Sequence, residues 1–229
     1  MTDASHGGDA DRASELDDGE FVRIEYTART VAGDRVVDTT DPAVAADADL
    51  AGIAADGPIV VVLGEGHLFE PVEEAVREAG VGGSARVTVG PSNAFGKRDP
   101  QKVETVPVEL VPSDRREAGR EVSVAGRTCV IESVDDETAT LDYNHALAGV
   151  TLEYEVSVLE RVPEADRPAG LCSLHGLDAG VSLTERELVV SLTAAEPSPE
   201  RDRRRRAFVR DAKRLLPVDS VTVTETYEE

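Results

Sequence analysis

Residues 59–80 read IVVVLGEGHLFEPVEEAVREAG and join a short apolar run to an amphipathic pattern through a glycine-rich turn. The run at 59–63 is continuously aliphatic and is followed by Gly64 and Gly66, which predicts a buried strand and then a turn. Beyond the turn, apolar residues recur at helical spacing, and Pro71 fits the first turn of a helix. This stretch therefore predicts a strand that leads through a tight turn into a helix.

Strand patterns flank this stretch on both sides. Residues 21–30 and 35–40 are rich in β-branched side chains and are separated by a turn at 32–34, which predicts a β-hairpin. Residues 85–89 are predicted as another short strand, and residues 152–159 alternate apolar and polar side chains as a strand with one solvated face does. Several strands around one short helix are typical of an α+β fold.

Two further parts are predicted from composition. Residues 1–20 are rich in Asp, Gly and Ser, with Leu16 as the one large apolar residue, so we predict a disordered acidic tail and structure beginning at Phe21. Residues 98–141 contain short strand patterns separated by prolines and acidic turns, which predicts a small β-rich subdomain. The main domain then consists of residues 21–97 and 142–162.

The C-terminal part begins after a linker-like segment at 163–168. A strand pattern at 187–193 is followed by a helix that Ser198 caps and that ends at Pro217, and a last strand pattern runs over 221–227. This order predicts a C-terminal β-α-β domain over residues 163–229.

The charge of the chain excludes several classes of partner. With 46 acidic and 24 basic residues, the formal net charge is -22, a field that repels nucleic acid backbones and anionic membrane surfaces. No apolar run is long enough to span a membrane and no apolar leader is present, so we expect a soluble, cytoplasmic protein. Only three of the 24 basic residues are lysines, a composition that resembles proteins from extreme halophiles. We therefore predict that the structure is lost at low salt, where self-repulsion is no longer screened.

One basic run stands out against this background. Residues 203–206 are four consecutive arginines, which resembles a nucleic-acid patch. Acidic residues lie on both sides of the run within the predicted helix. We favour pairing of these arginines with carboxylates, in the same chain or in another molecule.

The sequence is poor in the residues of acid–base, nucleophilic and metal chemistry. The four histidines show no metal-ligand spacing, and Cys129 and Cys172 form no CxxC motif, so we expect no metal site and reduced thiols. No nucleophile motif around a serine occurs. Phe69 stands where a dinucleotide-binding loop needs its third glycine, so the turn at 64–66 predicts no nucleotide, and we expect no cofactor.

Six blocks of sequence follow one another in a recognisable order. They are VRIEYT at 22–27, GDRVVDTT at 33–40, LGEGHLF at 63–69, VGG at 81–83, AFGKRDP at 94–100 and NHALAGVTL at 144–152. These blocks resemble the successive motifs of FKBP-type peptidyl-prolyl isomerases of the SlyD-like group. The resemblance covers about residues 21–162, and the stretch 98–141 stands where that group carries a flap-inserted subdomain that captures unfolded chains.

The resemblance implies an FKBP-like antiparallel sheet wrapped on a short helix and catalysis of cis-trans isomerisation at X-Pro bonds of unfolded or folding chains. Rotation about such a bond needs no proton transfer, which agrees with the poor acid–base inventory. The residues carried over as catalytic are Tyr26, Asp38, Phe69, Phe95 and Tyr154. Those carried over as substrate-binding are Val37, Ile59, Leu68, Val72 and Leu147, with a backbone N–H near Leu68 and Phe69 holding the peptide carbonyl.

Three departures from the family pattern leave an alternative open. Val37 stands where the family usually has Phe, Phe95 stands where it has Tyr, and Glu70 and Pro71 replace the usual residues before the helix. The ring at Phe95 lacks a hydroxyl that typically bonds substrate. A holdase-type chaperone with a weak or vestigial isomerase pocket is therefore the alternative to an isomerase with chaperone activity.

The C-terminal part is similar, in the order of its elements, to the extra domain of long archaeal members of this family. In those proteins the extra domain is associated with dimer formation. The resemblance thus implies a homodimer formed through residues 163–229, besides the proline-containing polypeptides that serve as substrates.

Overall fold

The computed structural model describes residues 16–52, 54–193 and 198–226. The strands in these ranges are Phe21–Thr30 (β1), Val36–Thr39 (β2), Ile59–Val62 (β3), Ser84–Val89 (β4), Val103–Pro107 (β5), Glu121–Val124 (β6), Arg127–Val134 (β7), Thr138–Asp142 (β8), Leu152–Arg161 (β9), Ala179–Thr184 (β10), Glu187–Thr193 (β11) and Ser220–Thr226 (β12). The α-helices are Pro42–Asp47 (α1), Glu70–Ala79 (α2), Arg167–Leu174 (α3) and Pro199–Leu215 (α4). No helix among the described residues is long and apolar enough to cross a membrane.

The chain divides into two compact units. The described residues of the larger unit are 16–30, 34–88 and 153–226 with the gaps given above, and the smaller unit consists of residues 31–33 and 89–152. The insert predicted at 98–141 therefore lies within the smaller unit. The sequence predicts residues 163–229 as a domain of their own, but their described part, residues 163–193 and 198–226, falls in one unit with the main sheet.

The larger unit is built on an antiparallel sheet of strand order β2-β1-β9-β4, in which β3 also pairs with β1. The long strand β1 pairs with two short strands in succession, since Ile24 lies opposite Ile59 of β3 and Thr27 lies opposite Thr39 of β2. The hairpin predicted at 21–40 is thus present. Strand β1 is the element that holds the sheet together.

Helix α2 packs on the inner face of this sheet. Its Val76 lies in one apolar core with Val22 and Ile24 of β1 and with Val156 and Val158 of β9. The helix begins with Pro71 in its first turn and ends at Gly80, whose φ of +64° is a backbone conformation that glycine adopts readily. The strand, turn and helix expected over 59–80 are therefore confirmed.

Ordered structure begins before Phe21, so the predicted disorder of the tail is wrong for residues 16–20. Leu16 is only 3% exposed and belongs to the same inner core. The Gly19 N–H donates to the Leu63 carbonyl at 2.8 Å, and the Leu63 N–H donates to the Glu20 carbonyl at 3.0 Å. One apolar side chain and two backbone hydrogen bonds hold this segment, which a composition argument misses. The remainder of the predicted tail, residues 1–15, lies outside the described residues.

The C-terminal residues pack on the outer face of the same sheet. Side chains of β1 and β3 that point away from α2, Phe21, Val60 and Val62, share a buried core with Leu171 of α3 and Phe208 of α4. Strands β10, β11 and β12 form a separate three-stranded sheet in which β11 and β12 run parallel, and α4 connects them. Because one core serves both sheets, residues 163–226 complete the larger unit.

The smaller unit has its own sheet of strand order β5-β8-β7-β6, with antiparallel neighbours throughout. Its core is small and aliphatic, with Ile131 and Leu141 fully buried at its centre. Leu110 does not join this core and is 58% exposed. The unit therefore has one small core, and the apolar side chain of Leu110 lies outside it, exposed to water.

Candidate active site

Three aromatic rings meet in the larger unit at the face of the sheet that α2 covers. The ring centroids of Tyr26 and Tyr154 are 5.9 Å apart and tilted by 38°, and those of Phe69 and Tyr154 are 6.2 Å apart in an edge-to-face arrangement. Tyr26 follows Ile24 at the two-residue period of β1, and Tyr154 precedes Val156 at the same period of β9, so both rings share a face with the inner core. We call Tyr26, Phe69 and Tyr154 the ring cluster.

Asp38 belongs to the same group. The Tyr26 hydroxyl donates to Asp38 Oδ2 at 2.7 Å, and the Thr39 N–H donates to Asp38 Oδ1 at 2.9 Å. Burial, followed by the hydrogen bond to and charge of Asp38, raises the pKa of Tyr26 above its ordinary value. Burial and the Asp38 charge raise the pKa of Tyr154 to about 12. Both phenols are therefore neutral at physiological pH.

The other predicted residues of the larger unit are all buried or half-buried. Ile59 and Leu68 are half-buried and pack against the inner core that contains Tyr26 at its edge. Val72 is only 1% exposed on the buried side of α2. Val37 is half-buried in β2, one residue before Asp38.

The remaining two predicted residues, Phe95 and Leu147, belong to the smaller unit. Phe95 is 37% exposed and its ring stacks on His145 at 4.2 Å with an interplanar angle of 4°. The Leu147 N–H donates to His145 Nδ1 at 3.1 Å, so His145 connects both predicted residues. Their contact with substrate stays a prediction.

Sequence reasoning missed the polar residues that hold the site in place. The Thr40 hydroxyl, 2% exposed, accepts the Tyr26 N–H at 2.9 Å and so fixes the backbone of the first ring. Glu73 of α2 is a second such residue and is only 8% exposed. Its carboxylate accepts the Gly64 N–H at 2.9 Å and pairs with Arg77 at 2.6 Å. The one signal in the sequence for the burial of Glu73 is its position in the helical pattern. It follows Val72 and lies three residues before Val76, and all three are on the buried side of α2.

A cavity of about 700 Å³ in the larger unit lies on the other face of the main sheet. Glu25 and Thr27, which line it, flank Tyr26 on β1 and therefore point away from the ring cluster. Arg86, Glu155 and Ser157 complete a polar lining. Tyr26 of the ring cluster is also a lining residue, so this cavity borders the aromatic site.

The ring cluster is suited to binding an apolar ring and unsuited to proton transfer. Its phenols are held neutral, and aromatic faces offer contact area with little conformational freedom. Among the residues that the structure describes, no group of three or more His, Cys, Asp or Glu side chains could hold a metal ion. Cys129 and Cys172 are buried free thiols, and burial raises the pKa of Cys172 to about 11.

Comparison with known proteins shows the family to which the chain belongs. The family described as FKBP-type peptidyl-prolyl cis-trans isomerase matches residues 12–118. A short-type peptidyl-prolyl cis-trans isomerase from Methanocaldococcus jannaschii is 31% identical over 148 residues, which are 63% of this chain and 93% of that protein. The chain belongs to the FKBP-type peptidyl-prolyl cis-trans isomerase family. The resemblance drawn from the six sequence blocks is thus confirmed.

Other FKBP-type relatives support the same assignment. A probable FKBP-type 16 kDa peptidyl-prolyl cis-trans isomerase from Pseudomonas fluorescens is 28% identical over 144 residues and is covered to 87%. The SlyD protein of Aeromonas hydrophila is 30% identical over 141 residues, which are 60% of each chain. The protein is accordingly a SlyD-like peptidyl-prolyl cis-trans isomerase. Rotation about an X-Pro bond needs no proton transfer, so the isomerase function agrees with the small number of acid–base groups in the ring cluster.

Proposed function

We propose that the ring cluster binds the proline ring of unfolded or folding chains and lowers the barrier to rotation about the X-Pro bond. The observation that carries this proposal is the convergence of Tyr26, Phe69 and Tyr154, with ring centroids about 6 Å apart, beside the Tyr26–Asp38 hydrogen bond. The cluster offers apolar faces to proline and neutral phenols to its carbonyls.

The chemistry follows from the electronic structure of the imide. Amide resonance opposes rotation with a barrier of about 18–20 kcal/mol, and the planar ground state is more charge-separated than the twisted state. A site that excludes water disfavours the planar form relative to the twisted form. Each tenfold acceleration needs about 1.4 kcal/mol of differential binding, which contacts shaped to the twisted bond can supply.

Tyr154 is the residue to which we assign a hydrogen bond to a substrate carbonyl. Its side chain has a raised pKa and no hydrogen-bond partner among the residues that the structure describes, whereas the Tyr26 hydroxyl is engaged by Asp38. A neutral phenol donates without losing its proton. This donor takes on the role that the missing hydroxyl at Phe95 would have in the family.

The further members of the site are proposed from the resemblance. Val37, Ile59, Leu68 and Val72 form the apolar wall, and their half-buried or buried positions in the larger unit agree with this role. For Phe95 and Leu147, which belong to the smaller unit, contact with the substrate is proposed from the resemblance alone. The backbone N–H near Leu68 and Phe69 is assigned to the second carbonyl of the peptide.

A protease-coupled assay with a proline tetrapeptide in high salt tests the proposed site. We expect catalysis by the wild type and a loss of about two- to tenfold in kcat/KM for Tyr154→Phe, because one hydrogen bond is removed and the ring is kept. The Phe95→Tyr variant, measured beside it, gains activity if its ring lines the pocket. A wild-type rate equal to the uncatalysed rate would remove the proposed function.

A second activity, capture of unfolded chains, is proposed for the insert at residues 98–141. The supporting observations are Leu110, 58% exposed, and the two edge strands of the smaller sheet, β5 and β6. An edge strand offers unpaired backbone groups to an extended chain, and an exposed apolar side chain adds contact area. The alternative of a holdase with a weak pocket rests on Val37 and Phe95 in place of larger or hydroxylated rings.

Deletion of residues 98–141 separates the two activities. We expect suppression of client aggregation to be lost while turnover of a short proline peptide remains, since a tetrapeptide does not need the insert. Unchanged suppression of aggregation after the deletion would contradict the proposed role of the insert.

Self-association and location are also proposals. In the C-terminal sheet, β10 and β12 are edge strands among the described residues, and Leu183 of β10 is 36% exposed, which supports a homodimer through this region. Light scattering of the full chain should give the mass of a dimer, and a concentration-independent monomer mass would contradict it. The cytoplasmic location expected from the sequence stays a prediction.

A further inference from the structure

The turn between β3 and α2 positions one wall of the proposed site. Gly64 and Gly66 have φ values of +80° and +70°, a region in which glycine imposes little restraint of its own. The chain then reaches Leu68 and Phe69, and Phe69 supplies the ring that meets Tyr154 edge to face. The position of this ring therefore depends on what holds the turn.

Two contacts hold the turn from within the isomerase fold. The Gly64 N–H donates to Glu73 of α2 at 2.9 Å, and the Val62 N–H donates to His67 Nδ1 at 3.1 Å. The first bond fixes the residue before Glu65, and the second joins residues on either side of it. Neither bond involves the side chain of Glu65, which makes a third contact.

That third contact comes from the C-terminal helix α4. The guanidinium of Arg214 donates to both carboxylate oxygens of Glu65, with Nη2 2.5 Å from Oε2. Asp211, one helical turn earlier, accepts from Arg214 at 3.3 Å and from Arg210 at 2.9 Å. A two-pronged pair of this kind fixes orientation as well as distance, unlike a single-point surface ion pair.

The helix that presents Arg214 is itself well anchored. Phe208 and Ala212 on its inner side are fully buried in the core that the C-terminal residues share with Phe21 and Val62 of the main sheet. The side chain of Glu65 is 20% exposed, so the pair is largely sheltered on the carboxylate side. The buried core thus fixes α4, and α4 fixes the turn through the contact between Arg214 and Glu65.

We propose that Arg214 and Glu65 are positioning residues for isomerisation, and that the C-terminal helix thereby sets Phe69 against Tyr154. The inference rests on the proposed function of the ring cluster. It gives residues 163–226 a part in catalysis that is independent of self-association.

Steady-state kinetics of Arg214→Ala and Glu65→Gln in the full chain test this role. Freeing the turn lowers the fraction of molecules with Phe69 in place, so we expect KM to rise about three- to tenfold while kcat stays within about twofold. The double variant should be no worse than either single variant, because both remove the same contact. Additive effects in the double variant would overturn the proposal.

Arg186→Ala is the matched control. Arg186 pairs with Asp219 at 2.8 Å in the same C-terminal region without contacting the turn. We expect its KM to equal that of the wild type. If Arg214→Ala and Arg186→Ala have the same KM, Arg214 has no positioning role.

Hydrogen exchange provides a readout that needs no activity. In Arg214→Ala, the amides of residues 64–69 should exchange faster than in Arg186→Ala, while those of β11 remain protected. Unchanged exchange at 64–69 would show that the Arg214–Glu65 pair does not hold the turn, even in an active enzyme. An inactive wild type with faster exchange in Arg214→Ala would overturn the proposed function and still support the hold of Arg214 on the turn.

Discussion

The two compact units use their sheets differently. In the larger unit, α2 covers one face of the main sheet and the C-terminal residues cover part of the other, and the Tyr26 hydroxyl of the ring cluster is paired with Asp38. In the smaller unit, one small core supports a sheet with two edge strands, and Leu110 is left in water. The comparison teaches that a preorganised site needs support on all sides, whereas capture of varied chains needs accessible edges and apolar side chains.

Salt concentration should produce the largest effect on both units. With a net charge of -22 the chain repels itself, and lowering the salt from about 2 M to about 20 mM lengthens the screening distance from about 2–3 Å to more than 20 Å. We expect the far-UV circular dichroism signal and the melting temperature to fall together.

The same titration sharpens the comparison between the units. The smaller unit, which has the smaller core, should lose amide protection at higher salt than the ring cluster does. Identical spectra and melting temperatures at both ends of the titration would contradict the halophile-type interpretation of the composition.

A substitution in the smaller unit should separate its role from catalysis. Leu110→Asp places a charge on the most exposed large apolar side chain of the insert, and we expect suppression of client aggregation to fall several-fold with tetrapeptide turnover unchanged. Leu159→Asp, at a 39% exposed leucine of the larger unit, is the control. Equal loss of suppression in both variants would mean that general surface charge, and no site on the insert, governs client binding.

Alkaline pH should have the smallest effect. The folded-state pKa of Tyr154, about 12, lies above the ordinary value of 10, so its protonated form stabilises the fold below pH 10 and this contribution is lost as pH rises toward 12. Activity should therefore be level up to pH 10, and the melting temperature should fall only above it. Spectroscopic titration of tyrosinate should show phenols that ionise late, fewer of them in Tyr154→Phe. Complete ionisation of all four tyrosines around pH 10 would contradict burial of these rings.

Local patterns in the sequence predicted the elements better than their partners. The spacing at 59–80 gave the strand, turn and helix, and Ser198 was correctly predicted as the cap of the C-terminal helix, where its hydroxyl accepts the Arg201 N–H at 3.1 Å. These features depend on neighbours a few residues apart. The membership of Tyr26, Phe69 and Tyr154 in one cluster came from the family resemblance, since no local pattern joins three distant segments.

Features that depend on long-range packing were not predictable in the same way. Glu73 is buried where it accepts the Gly64 N–H of a turn nine residues earlier, and Leu16 is buried against residues of β1 and β3 in the inner core. The arginine run at 203–206 was only partly explained. Arg204 pairs with Glu200, and Arg205 pairs with Asp202 and Glu225, which agrees with the expected carboxylate partners.

The central claim is that a water-poor aromatic cluster in the larger unit isomerises prolyl bonds. The most direct test is kcat/KM for a proline tetrapeptide with Tyr154→Ala, beside Tyr143→Ala in the smaller unit as the control for loss of a tyrosine ring. Removal of the ring that contacts both Tyr26 and Phe69 should lower kcat/KM about 10- to 100-fold, with a folded spectrum retained in high salt, and Tyr143→Ala should stay within about twofold of the wild type. Full activity in a folded Tyr154→Ala protein would contradict the account.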